Sequence, residues 1–215
     1  MLTVALTGGI AAGKSVVARV FEERGGVLFR ADEAARSLMA PGGPAYAPLL
    51  ARFGRSLLDP EGRIDRKKLR AVVFGGEDGR RDVDRIVHPL VAEARRREIA
   101  RLEAEGKAMI FVSEAALTIE AGLQDDFDKI VVVHCPVEIQ LSRLMARDGL
   151  DREEALRRLS AQMTNEEKIR YADYIVDASG SLERTIAQAE AVYAKLLEDA
   201  AWKANPSGRR RGGGS

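Results

Sequence analysis

Eight residues constrain this chain more than any others. Gly8-Gly9-Ile10-Ala11-Ala12-Gly13-Lys14-Ser15 follows the apolar run Leu2-Thr3-Val4-Ala5-Leu6 and fills every fixed position of the pattern G-x-x-x-x-G-K-[ST]. A strand that delivers the chain to a Gly-rich turn, followed at once by a helix N-terminus, makes a nest of inward-pointing N–H groups suited to an anionic polyphosphate. In such a nest Lys14 supplies a point charge for the β and γ phosphates of a nucleoside triphosphate. The Ser15 hydroxyl is the protein ligand expected for Mg2+, with phosphate oxygens and water completing its shell. Gly8 and Gly13 allow backbone geometry or close approach that a β-carbon obstructs. A plain Gly-rich turn before an amphipathic helix would not need all four fixed residues. The pattern identifies the ligand and says almost nothing about the reaction.

At 215 residues and 46% hydrophobic content the chain can bury a full core, so one compact domain with an insertion is expected rather than two independent units. Charged residues make up 31%, yet they nearly cancel to a net charge of +1, which argues against a dominant surface for nucleic acid or membrane. Cys135 is the single cysteine, leaving no disulfide framework and no zinc cluster. The apolar N-terminus runs into glycines before a signal-peptide core can form, and no apolar run approaches ~20 residues. The expectation is a soluble, cytoplasmic protein with no nucleic-acid or membrane partner. Oligomeric state is not legible.

The helix after the loop is expected from Ser15 to about Arg24, where Gly25-Gly26 stops it, and Val27-Leu28-Phe29-Arg30 reads as a second strand. Asp32 then lies just beyond a strand's end. Further strands are Met109 to Val112, Ile130 to His134 and a short Tyr174-Ile175-Val176. Strands this continuously apolar, alternating with helical patterns, predict a parallel sheet covered on both faces, with ligands at its carboxyl edge. From about Ala34 to Lys107 the alternation breaks into helical stretches with no convincing central strand, punctuated by Pro41-Gly42-Gly43-Pro44, Asp59-Pro60-Glu61-Gly62 and Gly75-Gly76-Glu77-Asp78-Gly79 as turns. After a helix carrying Arg143 and Arg147, Asp148-Gly149-Leu150 marks a break. Asp151 with Glu154 and Thr164 with Glu167 have N-cap spacing. These short helices read as a mobile lid or as a plain helical hairpin. The last helix is expected from about Leu182 to Trp202.

Beyond the phosphate loop, the ordered motifs resemble those of the dephospho-coenzyme A kinase family. Thr7 to Ser15 matches its T-G-G-I-x-x-G-K-S, and Arg30-Ala31-Asp32-Glu33-Ala34-Ala35-Arg36 resembles D-A-D-x-x-A-R. Arg66 to Phe74 resembles R-x-x-L-R-x-x-V-F, His88-Pro89-Leu90 resembles H-P-x, and Leu117 to Leu123 resembles L-L-F-E-S-G-L. Gln140 to Leu144 with Arg147, then Gln162, then Ala172 to Asp177 with Ser179-Gly180 complete the order, so the likeness spans roughly residues 1 to 200. It implies a three-layer α/β P-loop kinase fold: a parallel sheet with helices on both faces, a helical substrate-binding insertion and a helical lid. The nucleotide-binding core is then residues 1–31, 108–142 and 172–203. Residues 32–107 form the acceptor-binding insertion, 143–171 the lid and 204–215 a flexible tail.

The implied activity is ATP-dependent phosphorylation of the ribose 3′-hydroxyl of dephospho-coenzyme A, the last step of coenzyme A synthesis, with ATP and Mg2+ required. Gly8, Ala11, Ala12, Gly13, Lys14, Ser15 and Val16 would hold the nucleotide, with Ser15 on the metal. Asp32 would accept the hydroxyl proton; from position alone it reads equally as a helix N-cap. Arg143 and Arg147, four apart and so on one helical face, suit phosphates or the transition state, or a solvated face. Arg66, Lys67 and Arg70 are candidates for the acceptor's diphosphate, and His88 either contacts the acceptor or is a hydrogen-bonded structural residue. Glu114, expected just after the third strand, would hold a metal-bound water or be a surface carboxylate. His134 and Cys135 read as packing residues.

The chain departs from the family pattern at several places. Ala11-Ala12 stands for the commoner Gly-Ser, Val16 for threonine, Glu114-Ala115-Ala116 for D-x-P, and Ala178 for the asparagine of D-N-S-G, which removes an amide that would read the adenine edge. Two other readings stay open on the residues alone. One is a different small-molecule or nucleoside-monophosphate kinase. The other is a non-catalytic nucleotide-dependent switch, against which stands the lack of an N-K-x-D segment. Arg209-Arg210-Arg211 reads as a solubilising end.

Overall fold

A computed structural model describes residues 1–106 and 109–205. In chain order its elements are β1 (Leu2–Thr7), α1 (Lys14–Glu23), β2 (Val27–Arg30), α2 (Ala31–Leu38), α3 (Tyr46–Phe53), α4 (Arg66–Phe74), α5 (Glu77–Glu105), β3 (Ile110–Glu114), β4 (Lys129–His134), α6 (Val137–Asp148), α7 (Arg152–Ser160), α8 (Asn165–Ile169), β5 (Tyr174–Asp177) and α9 (Leu182–Ala204). The five strands form one sheet in the order β2-β3-β1-β4-β5. β1 runs parallel to β3 on one side, with Leu2 opposite Ile110, and to β4 on the other, with Val4 opposite Lys129. Because β3 and β4 flank β1 on opposite sides, the strand order switches at β1, and its carboxyl end opens onto the crevice where such sheets hold ligands.

Strand period explains the layers. Leu2, Val4 and Leu6 project to one face with Ile110, Val112, Val131 and Val133, where Val17 and Phe21 of α1 and Val192 and Leu196 of α9 cover them. The intervening Ala5, with Ile130 and Val132, meets Ile119, Phe127, Met163 and Ile169 on the other face. With both faces covered, the middle strand positions are mostly apolar, Ser113 being a buried exception, which is the continuous pattern the sequence displays. The result is the expected three-layer α/β arrangement. Phe21 is fully buried with its ring centroid 5.4 Å from that of Tyr193, locking α1 to α9.

The chain divides into two compact units, one holding the sheet and its covering helices, the other spanning residues 30–104. The second unit is helical, built around Ala45, Leu49, Leu57, Val83 and Val87. Its extended pairing, among the described residues, is the isolated antiparallel bridge Leu58–Ile64 across the Asp59–Gly62 turn. α5 continues for 29 residues through Pro89.

Three expectations need correction. The glycine cluster at 75–79 is not wholly a turn, because α5 begins at Glu77 and takes in Gly79. A Cβ at Gly79 would stand 2.4 Å from the carbonyl oxygen of Val72, so glycine there permits close helix packing. Asp32 is not an N-cap: Arg30 holds that position, and Asp32 lies in the first turn of α2, where a carboxylate still suits the helix dipole. Glu114 does not follow β3 but ends it, in register with Leu6. The caps after α6 form as expected. Gly149 closes α6 in the left-handed region, Asp151 accepts a hydrogen bond from the Glu154 N–H at 2.7 Å, and Thr164 with Glu167 makes a reciprocal capping box. α9 runs to Ala204; residues 206–215, with the three tail arginines, and residues 107–108 lie outside the described residues. Among the described residues no helix is long and apolar enough to cross a membrane.

Candidate active site

The loop from Gly8 to Gly13 leaves the buried end of β1 and enters α1 without a capping side chain, giving an uncapped helix N-terminus of the kind that receives anions. Lys14 folds back over the loop, its Nζ donating to the carbonyl oxygens of Gly8 at 2.8 Å and Gly9 at 3.1 Å. Ala12 N–H bonds Gly9 O at 3.2 Å, which closes the turn. Beside the loop lies a cleft of about 340 Å³, lined by Ala11, Gly13, Ser15 and Val16 from the loop and α1, by Arg143 and Arg147 from α6, and by Ala178, Gly180, Leu182 and Thr185 from the β5–α9 junction. Three sequence-distant segments are thus brought to one place.

The two arginines are held differently. Arg143 donates through Nη2 to Ala178 O at 2.9 Å and through Nη1 to Cys135 Sγ at 3.6 Å, so the strand ends fix its guanidinium. Arg147 forks onto Asp148, with Nε 2.7 Å from Oδ1, and that pairing raises its pKa further. Hydrogen bonds from Ser179 hold the Asp177 carboxyl below its ordinary value, while burial pushes the Cys135 thiol up, with the Arg143 charge opposing. A thiol so placed packs, as expected, and His134 ends β4. Ala178 is 2% exposed, and a Cβ on Gly13 would lie 3.2 Å from its methyl group. Its backbone carbonyl, bonded to Arg143, is the polar group it contributes.

The unit spanning 30–104 carries the other candidates. Asp32 is exposed in the first turn of α2. A cleft of about 420 Å³ is lined by Arg36, Arg63 and Arg66 together with Asp59, Asp65 and apolar residues from Met39 to Pro41, Ile64 and Leu69. Arg70 and His88 are not among its lining residues, and His88 Nε2 lies 3.3 Å from Asp84 Oδ1 on the same helix.

The family model for dephospho-CoA kinase matches residues 2–184. The chain belongs to the dephospho-CoA kinase family. A dephospho-CoA kinase of Syntrophotalea carbinolica is 43% identical over 197 residues, covering 92% of this chain and 93% of that protein. The crystal structure of TT1252 from Thermus thermophilus is similar with a TM-score of 0.78 at 32% identity, covering 91% and 97% of the two chains. The dephospho-CoA kinase from Campylobacter jejuni is similar with a TM-score of 0.67 at 28% identity, over 92% and 98%. The reaction is therefore a nucleotide-dependent phosphoryl transfer to dephospho-coenzyme A, the last step of coenzyme A synthesis.

Relative to the dephospho-CoA kinase pattern, the loop substitution has a visible cost. Ala11 has φ 58°, and it is the one non-glycine residue in the left-handed region among the described residues. Alanine pays about 1–2 kcal/mol there, where the family's glycine pays little, though glycine loses more freedom on folding. Ala11→Gly is expected to stabilise the fold by about 0.5–1 kcal/mol, seen as a higher urea midpoint at unchanged m. A lower midpoint would mean that the left-handed turn is not strained. Sequence reasoning missed Arg36, Arg63, Leu182 and Thr185 as lining residues. Gln140, Gln162 and Glu120 fall within the family-like motifs, whose spacing carries no sign of what these side chains touch.

Proposed function

We propose that the nucleotide is ATP with Mg2+, that the acceptor group is the ribose 3′-hydroxyl, and that the reaction runs in the cytoplasm, a setting that suits the unpaired Cys135. The observation that carries the reading is the single cleft uniting the phosphate loop, Ser15, Arg143 and Arg147. Gly8, Ala11, Ala12, Gly13, Lys14, Ser15 and Val16 would cradle the triphosphate by backbone N–H groups and the Lys14 ammonium. Among the described residues no three His, Cys, Asp or Glu side chains are grouped to hold a metal. Mg2+ takes one or two protein oxygens plus substrate phosphates and water; Ser15 would be the ligand and Glu114 a partner of its water. When bound, the ion neutralises charge on the phosphate oxygens.

Asp32 would accept the proton of the 3′-hydroxyl as its oxygen forms the new bond to the γ phosphorus and ADP leaves. Arg143, already fixed by two protein acceptors, would meet the phosphates. Arg147 would exchange Asp148 for the transferring group, keeping its charge throughout. For the acceptor's diphosphate we rest the reading on Arg66, which shares its cleft with Arg36 and Arg63, more than on Arg70 or His88. Residues 143–171 are assigned as a lid that excludes water during transfer.

The test is ADP release from Mg-ATP with dephospho-coenzyme A, run beside AMP, CMP and shikimate, with the phosphate located on the product. A new 3′-phosphate formed only from dephospho-coenzyme A is the expected result. Turnover with another acceptor instead would overturn the assignment.

A further inference from the structure

The phosphate loop is gripped from outside by side chains of α6 and the α7–α8 connection. Both polar groups at Ile10 are engaged: its N–H donates to Gln162 Oε1 at 2.8 Å, and its carbonyl accepts from Gln140 Nε2 at 2.9 Å. Gln140 is 2% exposed and is itself oriented, because its Oε1 accepts from Asn165 Nδ2 at 3.0 Å while the same amide donates to Cys135 O at 2.7 Å. The Ile10 and Ala11 side chains pack on Leu141, Leu144 and Ala155. The peptide after Gln162 is anchored too, since Met163 N–H donates to Glu120 Oε1 at 3.2 Å. Gly9 makes room for the grip: a Cβ there would lie 2.4 Å from Gln140 Nε2.

Ile10 immediately precedes Ala11, whose left-handed φ an alanine does not keep unaided. We propose that Gln140 and Gln162, oriented by Asn165 and Glu120, are positioning residues. They hold the Ile10 peptide and so keep Ala11 turned in the shape that presents the loop N–H groups to phosphate. The inference rests on the reading of this loop as the nucleotide site. It assigns part of nucleotide affinity to residues that line no part of the cleft beside the loop.

Donor and acceptor direction gives a test. Ile10 N–H needs only an acceptor, so Gln162→Glu keeps the bond, whereas Gln140→Glu sets a carboxylate against the Ile10 carbonyl. Binding of Mg-ADP to the full chain, by calorimetry without acceptor, is expected to weaken about tenfold in Gln162→Met and Gln140→Glu and to stay within about threefold in Gln162→Glu. KM for Mg-ATP should rise with it while KM for dephospho-coenzyme A holds. Adding Ala11→Gly to Gln162→Met should recover most of the lost affinity, because glycine takes positive φ freely. A general loss of structure would not be repaired in this way. Equal losses in the two glutamate variants, or no recovery with Ala11→Gly, would overturn the proposal. If dephospho-coenzyme A is not turned over but Mg-ADP binds, the variant series still decides it. If the unaltered chain does not bind Mg-ADP, the nucleotide reading falls and takes this inference with it.

Discussion

Asp32→Asn is expected to lower kcat by about a hundredfold to ten-thousandfold while Mg-ATP binds within about twofold of the unaltered affinity. The amide keeps the shape and the hydrogen-bonding oxygen of the carboxylate but cannot take up the hydroxyl proton. Two features make this a clean test. Asp32 is exposed, so no buried partner is orphaned, and its place in the first turn of α2 limits the stability cost to about 0.3–1 kcal/mol from the helix dipole. Single-turnover transfer beside calorimetric binding separates chemistry from affinity. A variant of normal rate would remove Asp32 from the role of base and leave transfer to positioning and charge alone.

The second large effect is on folding. Lys168 has a fully buried side chain, its Nζ 2.6 Å from Glu120 Oε1 and 2.8 Å from Ala116 O, and the Glu120 side chain is 7% exposed. Glu120 Oε2 is buried with no hydrogen-bond partner among the described residues, so the carboxylate depends heavily on that one ammonium. Lys168→Met is expected to destabilise by about 3–5 kcal/mol, because it strands a buried charge, while Lys168→Met with Glu120→Leu should recover part of the loss, the Met163 N–H still lacking its acceptor. Urea midpoints measure both. A double variant no more stable than Lys168→Met would show that the charge is not what the single substitution exposes. Since Glu120 also anchors the peptide after Gln162, the double variant should lose nucleotide affinity even though it regains stability.

What the sequence made legible was whatever a short stretch encodes by itself. The phosphate loop, the apolar strands and the caps at Asp151 and Thr164 each depend on neighbours within a few residues, and each forms as read. Boundaries failed where packing overrode local signals. Gly79 has the look of a turn residue, yet the carbonyl of Val72 explains it; Glu114 looks like a loop carboxylate but pairs across β1. The arginine-lined cleft of the 30–104 unit draws on residues from 36 to 69, and of its three arginines only Arg66 stands out in the sequence as an acceptor candidate. Least legible was the grip on Ile10. Gln140, Gln162 and Asn165 lie 130 or more residues from Ile10, and no periodicity distinguishes a glutamine that holds a backbone peptide from one that faces water.

The contact between Gly9 and Gln140 makes two distant positions answerable to each other. The phosphate-loop pattern leaves position 9 open, but any side chain there must displace the Gln140 amide, and a shorter residue at 140 would leave the Ile10 carbonyl without its donor. Variation of the loop is thus governed from α6. A library that randomises residues 8–15 alone and is selected stringently for nucleotide binding should return mostly glycine at 9, and other residues should be admitted there more often when position 140 is varied in the same clones.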